Sequence, residues 1–236
     1  MNAFLVNQEE PVAGVEGKGG LIVTIDGPAG AGKSTAARML AKRLGYRYLD
    51  TGATYRVVAL KAIEGKVDPE DDEALRGLCR ELRIEFSGER VLCNGEDVTD
   101  RIREQEVGMA ASLISQRGAV REAMVELQRR LAADGGVVAE GRDTGTVVFP
   151  QAEVKFYLDA SLSERARRRF RELREKGKEM DFTEVLEELS RRDRQDSERE
   201  IAPLRRAPGA FYIDSTHLSP KEVVERMLQE VERRRA

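Results

Sequence analysis

Eight consecutive residues, Gly27-Pro28-Ala29-Gly30-Ala31-Gly32-Lys33-Ser34, have types and a spacing suited to phosphate chemistry. They fit the pattern G-x-x-x-x-G-K-[ST] in full. Glycines let a backbone wrap around a phosphate with its N–H groups turned inward, and a helix that starts there adds partial positive charge. Lys33 would reach the outer phosphates of ATP, and the Ser34 hydroxyl is placed for Mg2+. Thr35 completes the predicted ATP-binding run. A glycine-rich turn with no ligand would leave Lys33 unexplained, and a dinucleotide fold does not require the Lys-Ser pair after the last glycine.

A phosphate loop does not by itself name a reaction. The chain has no Asn-Lys-x-Asp run, which disfavours a guanine-nucleotide switch. A motor ATPase would want an apolar strand ending in Asp-Glu, and the best candidate, Phe156-Tyr157-Leu158-Asp159, is followed by Ala160. A small-molecule kinase must instead hold a second anion in line with the γ-phosphate, mostly by positioning and charge neutralisation. It therefore needs arginines that are distant in sequence but lie at loop or strand ends. Arg56 closes the run Asp50-Thr51-Gly52-Ala53-Thr54-Tyr55-Arg56, and Arg142 sits in Gly141-Arg142-Asp143-Thr144-Gly145-Thr146. Arg192 and Asp196 fall near a helix end, with Arg199 beyond. Any one arginine is by default a solvated surface residue. Arg142 differs, because it stands between glycine and aspartate just past a buried strand. Asp143 beside it could orient a substrate, and no strong general base is required.

These residues need a frame. Short apolar runs at 21–25, 46–49, 136–139, 154–158 and 211–213 predict five buried parallel strands. Acidic residues follow or end them: Asp26, Asp50, Glu140, Asp159 and Asp214. Ligands in open α/β sheets gather at such carboxyl ends. Helical patterns span 34–44, 105–131, 161–176, 182–194 and 220–234, with Gly108 and Gly118 as possible breaks in the second. Strand–helix alternation predicts a three-layer α/β/α fold with a five-stranded parallel sheet. The stretch from Leu82 to Val98 departs from that rhythm, because alternation and an Asn94-Gly95 turn predict a small antiparallel meander inserted into the frame.

Several of these runs together resemble bacterial cytidylate kinases. They are Asp50-Thr51-Gly52-Ala53-x-Tyr55-Arg56, Gln105-Glu106-Val107 with Ala111-Ser112, Glu140-Gly141-Arg142-Asp143-x-Gly145 through Pro150, and Ile201-Ala202-Pro203-Leu204. The match runs from about Leu21 to the end, and the inserted meander is similar to the extra small sheet of that family. The resemblance implies ATP-dependent phosphorylation of CMP or dCMP with Mg2+. It implies that Arg56, Arg121 and Arg142 hold the acceptor phosphate, and that Ser112, Asp143 and Arg192 read the base or hold the nucleotide. Asp196 would contact the sugar, with Arg199 near it, and Thr51 would supply a hydroxyl near the acceptor. The helices over 163–192 resemble a short lid, in which Arg165, Arg168 and Arg169 are all candidates to contact transferring phosphates. On this reading the chain has a tail over 1–20 and one kinase domain over 21–236. Within that domain the core covers 21–49, 118–162 and 197–236, the monophosphate-binding region 50–117, and the lid about 163–196.

The remaining features fit an enzyme of this kind. A net charge of −3 counts against a nucleic-acid binder, although arginines cluster over 165–206. No apolar run approaches the length of a membrane span, and residues 1–20 lack the layout of a signal peptide. Two cysteines, Cys79 and Cys93, make no scaffold and read as reduced thiols. The lone His217 cannot build a metal site and reads as a solvent-facing turn residue. A monomeric, cytoplasmic enzyme is expected. The rival readings are a kinase for UMP, AMP or a metabolite such as shikimate, and a nucleotide-dependent regulatory module.

Overall fold

Residues 19–175, 177 and 179–235 are described by the computed structural model. The expected tail lies outside them except for Gly19 and Gly20, and Gly20 already pairs in the first strand, opposite Gly135. Five strands form one parallel sheet: β1 (Gly20–Asp26), β2 (Arg47–Asp50), β6 (Gly135–Gly141), β7 (Val154–Asp159) and β8 (Phe211–Asp214), in the order β2-β6-β1-β7-β8. Their apolar residues alternate between two faces, as the pleat requires. Val23, Ile25, Val138, Phe156 and Leu158 pack with the helices α1 (Lys33–Leu44) and α8 (Pro220–Arg235). Val137 and Ala139 face the opposite way, with Ala132, Val148 and Phe149. Strands buried on both faces read as continuous apolar runs, and for that reason they are visible in the sequence.

A second core lies beside the sheet. Here α2 (Thr51–Glu64), α3 (Asp72–Glu81) and the meander β3 (Ile84–Ser87), β4 (Arg90–Cys93) and β5 (Glu96–Asp97) pack with α4 (Gln105–Ile114) and α5 (Gly118–Leu131). Cys79 and Cys93 are buried free thiols within this assembly. The expected single helix over 105–131 is two helices. Ser115–Arg117 break it, and α5 begins at Gly118. Gly108 does not break α4. It is there for space, since a Cβ would stand 3.0 Å from the Arg56 guanidinium. Helix α3 has no counterpart among the helices expected above. Leu75, Leu78 and Cys79 recur at helical spacing and pack on this core, so the signal for α3 is present in the sequence, set within a charged stretch.

Two helices, α6 (Leu162–Glu175) and α7 (Phe182–Glu198), form a pair with a small core of their own: Ala166, Leu173, Val185 and Leu189. Phe170 and Phe182 meet edge to face there, and α7 opens with a capping box of Asp181 and Glu184. Ala29, from the glycine-rich loop, belongs to the same cluster. His217 lies in an exposed turn before α8.

Candidate active site

The carboxyl ends of β1, β2 and β6 open into one cleft of about 1060 Å3. Its floor is the loop between β1 and α1. Three of its glycines, Gly27, Gly30 and Gly32, have positive φ, and a Cβ on Gly27 would stand 1.9 Å from the Leu158 carbonyl oxygen. The loop can take this path only with glycine at that point. Helix α1 starts at Lys33 directly after Gly32, so its unpaired N–H groups face the cleft. Lys33 is buried and donates to the Pro28 carbonyl at 2.8 Å. Burial, and then the nearby Arg142, lower its pKa well below the ordinary lysine value. Residues Ala29 to Thr35 line the cleft, whereas Gly27 and Pro28 stand behind it as its support.

Opposite the loop stands a wall of arginines. The Asp143 carboxylate is gripped by Arg121 and by Arg199, the latter at 3.3 Å. Arg142 donates from Nε to Asp196 at 2.7 Å. Burial would raise the Asp196 carboxyl, but the Arg142 guanidinium, joined by Arg199 and Arg192, outweighs it and holds that carboxyl below the usual carboxylate range. Arg56 donates to the Ile102 carbonyl at 3.0 Å, and its pKa falls to about 10 through burial and the nearby Arg192 and Arg103. Arg192 is likewise lowered by burial and by Arg142. Several guanidiniums thus crowd together, partly desolvated, with fewer carboxylates than they could use. A bound phosphate would relieve that repulsion, and bidentate arginines suit its geometry.

The strand-end carboxylates organise these parts. Asp26 is buried at the end of β1 and accepts from the Thr144 N–H (2.8 Å), the Thr144 hydroxyl (2.7 Å) and the Gly145 N–H (2.7 Å). It therefore ties the strand that leads into the phosphate loop to the loop that carries Arg142 and Asp143. Asp50 caps α2 by accepting from the Ala53 N–H and also takes the Arg103 guanidinium at 2.8 Å. Glu140 accepts from the Ser34 hydroxyl at 2.6 Å and from the Tyr48 hydroxyl at 3.1 Å. Thr51 also lines the cleft, and its hydroxyl donates to the Glu140 carbonyl at 2.7 Å. Ser112 lines the same cleft from α4, as do Arg56, Arg121, Arg142, Asp143, Arg192, Asp196 and Arg199.

A triphosphate loop facing buried arginines describes many kinases, and comparison with known proteins narrows the field. The family model described as "Cytidylate kinase" matches residues 23–233. A cytidylate kinase of Geobacter sulfurreducens is 54% identical over 215 residues, covering 89% of this chain and 92% of that protein. One from Geobacillus kaustophilus is 52% identical over 216 residues, covering 90% and 96%. The chain belongs to the cytidylate kinase family. A solved structure of an uncharacterised protein from Eubacterium ventriosum has a TM-score of 0.50 at 9% identity, covering 90% of this chain and 98% of that one, and shows the fold alone.

Among the three candidate arginines of α6, this cytidylate kinase family member separates those at the cleft from the one that is not. Arg168 and Arg169 line the cleft. Arg165 does not; it is 6% exposed and fully engaged with other parts of the chain. Sequence reasoning assigned no role to Glu140, Tyr48, Arg103 or Arg38, all of which stand at the cleft or touch its lining. For Glu140 and Asp26 a signal exists, namely an acidic residue at the carboxyl end of a buried strand. Arg38 and Arg103 carry none, since each sits in a charged stretch like many others.

Proposed function

We propose that this chain transfers the γ-phosphate of ATP to CMP or dCMP, giving ADP and CDP or dCDP. The observation that carries the reading is the partly buried arginine wall, in which burial and neighbouring guanidiniums lower Arg56 and Arg192, facing the Lys33 loop across one cleft. Family membership supports the pyrimidine acceptor. A phosphate oxygen of the acceptor attacks the γ-phosphorus in line. The bond from that phosphorus to the β–γ bridging oxygen breaks, and ADP leaves with the electron pair. Gly27 to Thr35 bind ATP, and Lys33 neutralises charge that develops on the outer phosphates. Arg56, Arg121 and Arg142 hold the acceptor phosphate, and Thr51 lies close by. Ser112, Asp143 and Arg192 orient base and nucleotide, and Asp196 and Arg199 hold the sugar side. Arg168 or Arg169 reaches the transferring phosphate from the lid.

The residues present also fit Mg2+. Ser34 and Glu140 offer two hard oxygens beside the phosphate loop, and among the described residues no cluster of three or more His, Cys, Asp or Glu could enclose an ion. Such a pair suits an ion that keeps its waters and is held mainly by substrate phosphates. When bound, it would spread charge on the β- and γ-phosphates. In domain terms, the kinase core covers 21–49, 118–162 and 197–236, the monophosphate-binding region 50–117, and the lid about 163–196. The separate apolar clusters of the sheet and of the α6–α7 pair support the core and the lid, whereas α5, assigned to the core, packs with the 50–117 region. Closure of the lid over both substrates would exclude water and suppress ATP hydrolysis. No described helix is long and apolar enough to cross a membrane. A cytoplasmic monomer without nucleic-acid partners completes the proposal.

The test is ADP release from MgATP with CMP, dCMP, UMP, AMP, GMP and shikimate each offered alone. Fast release with CMP or dCMP and little with the rest is the expected result. Release with a different acceptor would keep the kinase and overturn the pyrimidine assignment.

A further inference from the structure

Arg165 is the buried arginine of α6, and its guanidinium links the phosphate loop to α7. Three elements converge on its guanidinium. Nε donates to the Ala160 carbonyl at 2.9 Å, at the end of β7, and Nη1 donates to the Ala29 carbonyl at 3.1 Å, in the phosphate loop. Nη2 pairs with the Asp193 carboxylate of α7 at 2.7 Å. The contact with the phosphate loop does not depend on the fork alone. A Cβ on Gly30 would stand 3.1 Å from the Arg165 Cβ, and Ala29 packs into the core shared by α6 and α7. The donor-binding loop is therefore attached directly to the helix pair.

Helix α7 carries acceptor groups at its other attachments. Asp193 lies between Arg192 and Asp196, and Asp196 holds Arg142. The Asp193 charge also acts on Arg142. One Asp193 oxygen, Oδ1, is buried with no hydrogen-bond partner among the described residues, so the ion pair with Arg165 is the direct contact that holds this carboxylate. A rigid guanidinium fork with three fixed acceptors transmits displacement, because it cannot satisfy all three if one of them moves alone.

We infer that Arg165 is a positioning residue that couples the two substrate sites, through Ala29 on the ATP side and Asp193 on the acceptor side. Filling the phosphate loop would fix Ala29, and with it the α7 segment that presents Arg192 and Asp196. Donor and acceptor then tighten each other's binding by the same factor. The inference rests on the pyrimidine-kinase reading for the identity of the acceptor.

Calorimetry on the full chain tests it. CMP binding is measured alone and in the presence of a saturating non-hydrolysable ATP analogue, and the ratio of the two Kd values is the coupling factor. The unaltered protein is expected to give about fivefold or more, the low end of typical couplings. Arg165→Lys keeps the charge but not the fork, and Asp193→Asn keeps the shape but not the charge. Each is expected to bring the ratio close to one while the Kd of each substrate alone changes little, and the double variant should lose no more than either single one. Arg167→Ala, an exposed position on the same helix, should retain the full ratio. A purely structural role predicts the opposite pattern, with both Kd values worsening and the ratio preserved. That pattern, or an unaltered protein with a ratio of one, overturns the coupling alone. A protein that binds the ATP analogue but never CMP overturns the acceptor assignment and the coupling with it.

Discussion

Lys33 is a cation held in surroundings that disfavour its charge. Burial first and Arg142 second push its pKa down to about 7, with Glu140 and Asp196 opposing. A bound polyphosphate would supply the negative charge that the empty loop lacks and restore the ammonium form. The sign follows directly. The empty site sheds its proton as pH rises through about 7, while the filled site keeps it, so binding should take up protons on the alkaline side and none on the acid side. Calorimetry of an ATP analogue in buffers of different ionisation enthalpy should show uptake growing from about pH 6 to about pH 8, and Lys33→Met should abolish the growth. Equal uptake by both proteins would mean that Lys33 stays charged throughout. Arg142 allows a second expectation. Arg142→Ala should raise KM for CMP far more than it weakens ATP binding, since its partner is Asp196 rather than the phosphate loop. Comparable losses in both would assign it to the fold. Lys33 and Ser34 are legible in sequence because the phosphate loop that presents them is one contiguous run of the chain. Arg121 is reached only through the family resemblance, because Asp143 joins it to Arg199 across separate elements and it sits among other charged residues.

At the scale of elements, α4 joins stability to function at one position. Glycine inside a helix costs about 0.5–1 kcal/mol relative to alanine. Gly108→Ala should therefore stabilise α4, yet its new methyl would press on the Arg56 guanidinium 3.0 Å away and shift it from the acceptor side. The expected outcome is an unchanged or higher Tm together with a severalfold higher KM for CMP. A lower Tm with an unchanged KM would show that the guanidinium yields freely and that the helix pays instead. This element also marks the limit of pattern reading. A glycine in a helical run signals a break at Gly118 and close packing at Gly108, and the two are indistinguishable until the partner across the gap is known. The sheet is easier, since strands covered on both faces must be apolar throughout. Helix α3 is harder, because its apolar face of Leu75, Leu78 and Cys79 is short and set within a charged stretch.

The whole molecule is stitched from unequal cores. The sheet core unites α1, α8 and most of the central strands, whereas the α6–α7 pair rests on a handful of buried side chains. Local opening free energies scale with such packing. Native-state hydrogen exchange should therefore find the amides of α6 and α7 exchanging through a smaller opening than those of β1 and β6. Uniform protection across all four would contradict the separation of cores. Between these bodies, the Asp26 carboxylate fixes how far the Arg142–Asp143 loop stands from the phosphate loop. That spacing belongs to backbone and a buried carboxylate rather than to flexible side chains, so the cleft works as a ruler as well as a charge trap. A CMP lengthened by one methylene between sugar and phosphate should still satisfy the arginines and compete with CMP, yet receive almost no phosphate. The same gauge disfavours water, which is too short to touch the arginine wall and the γ-phosphate at once.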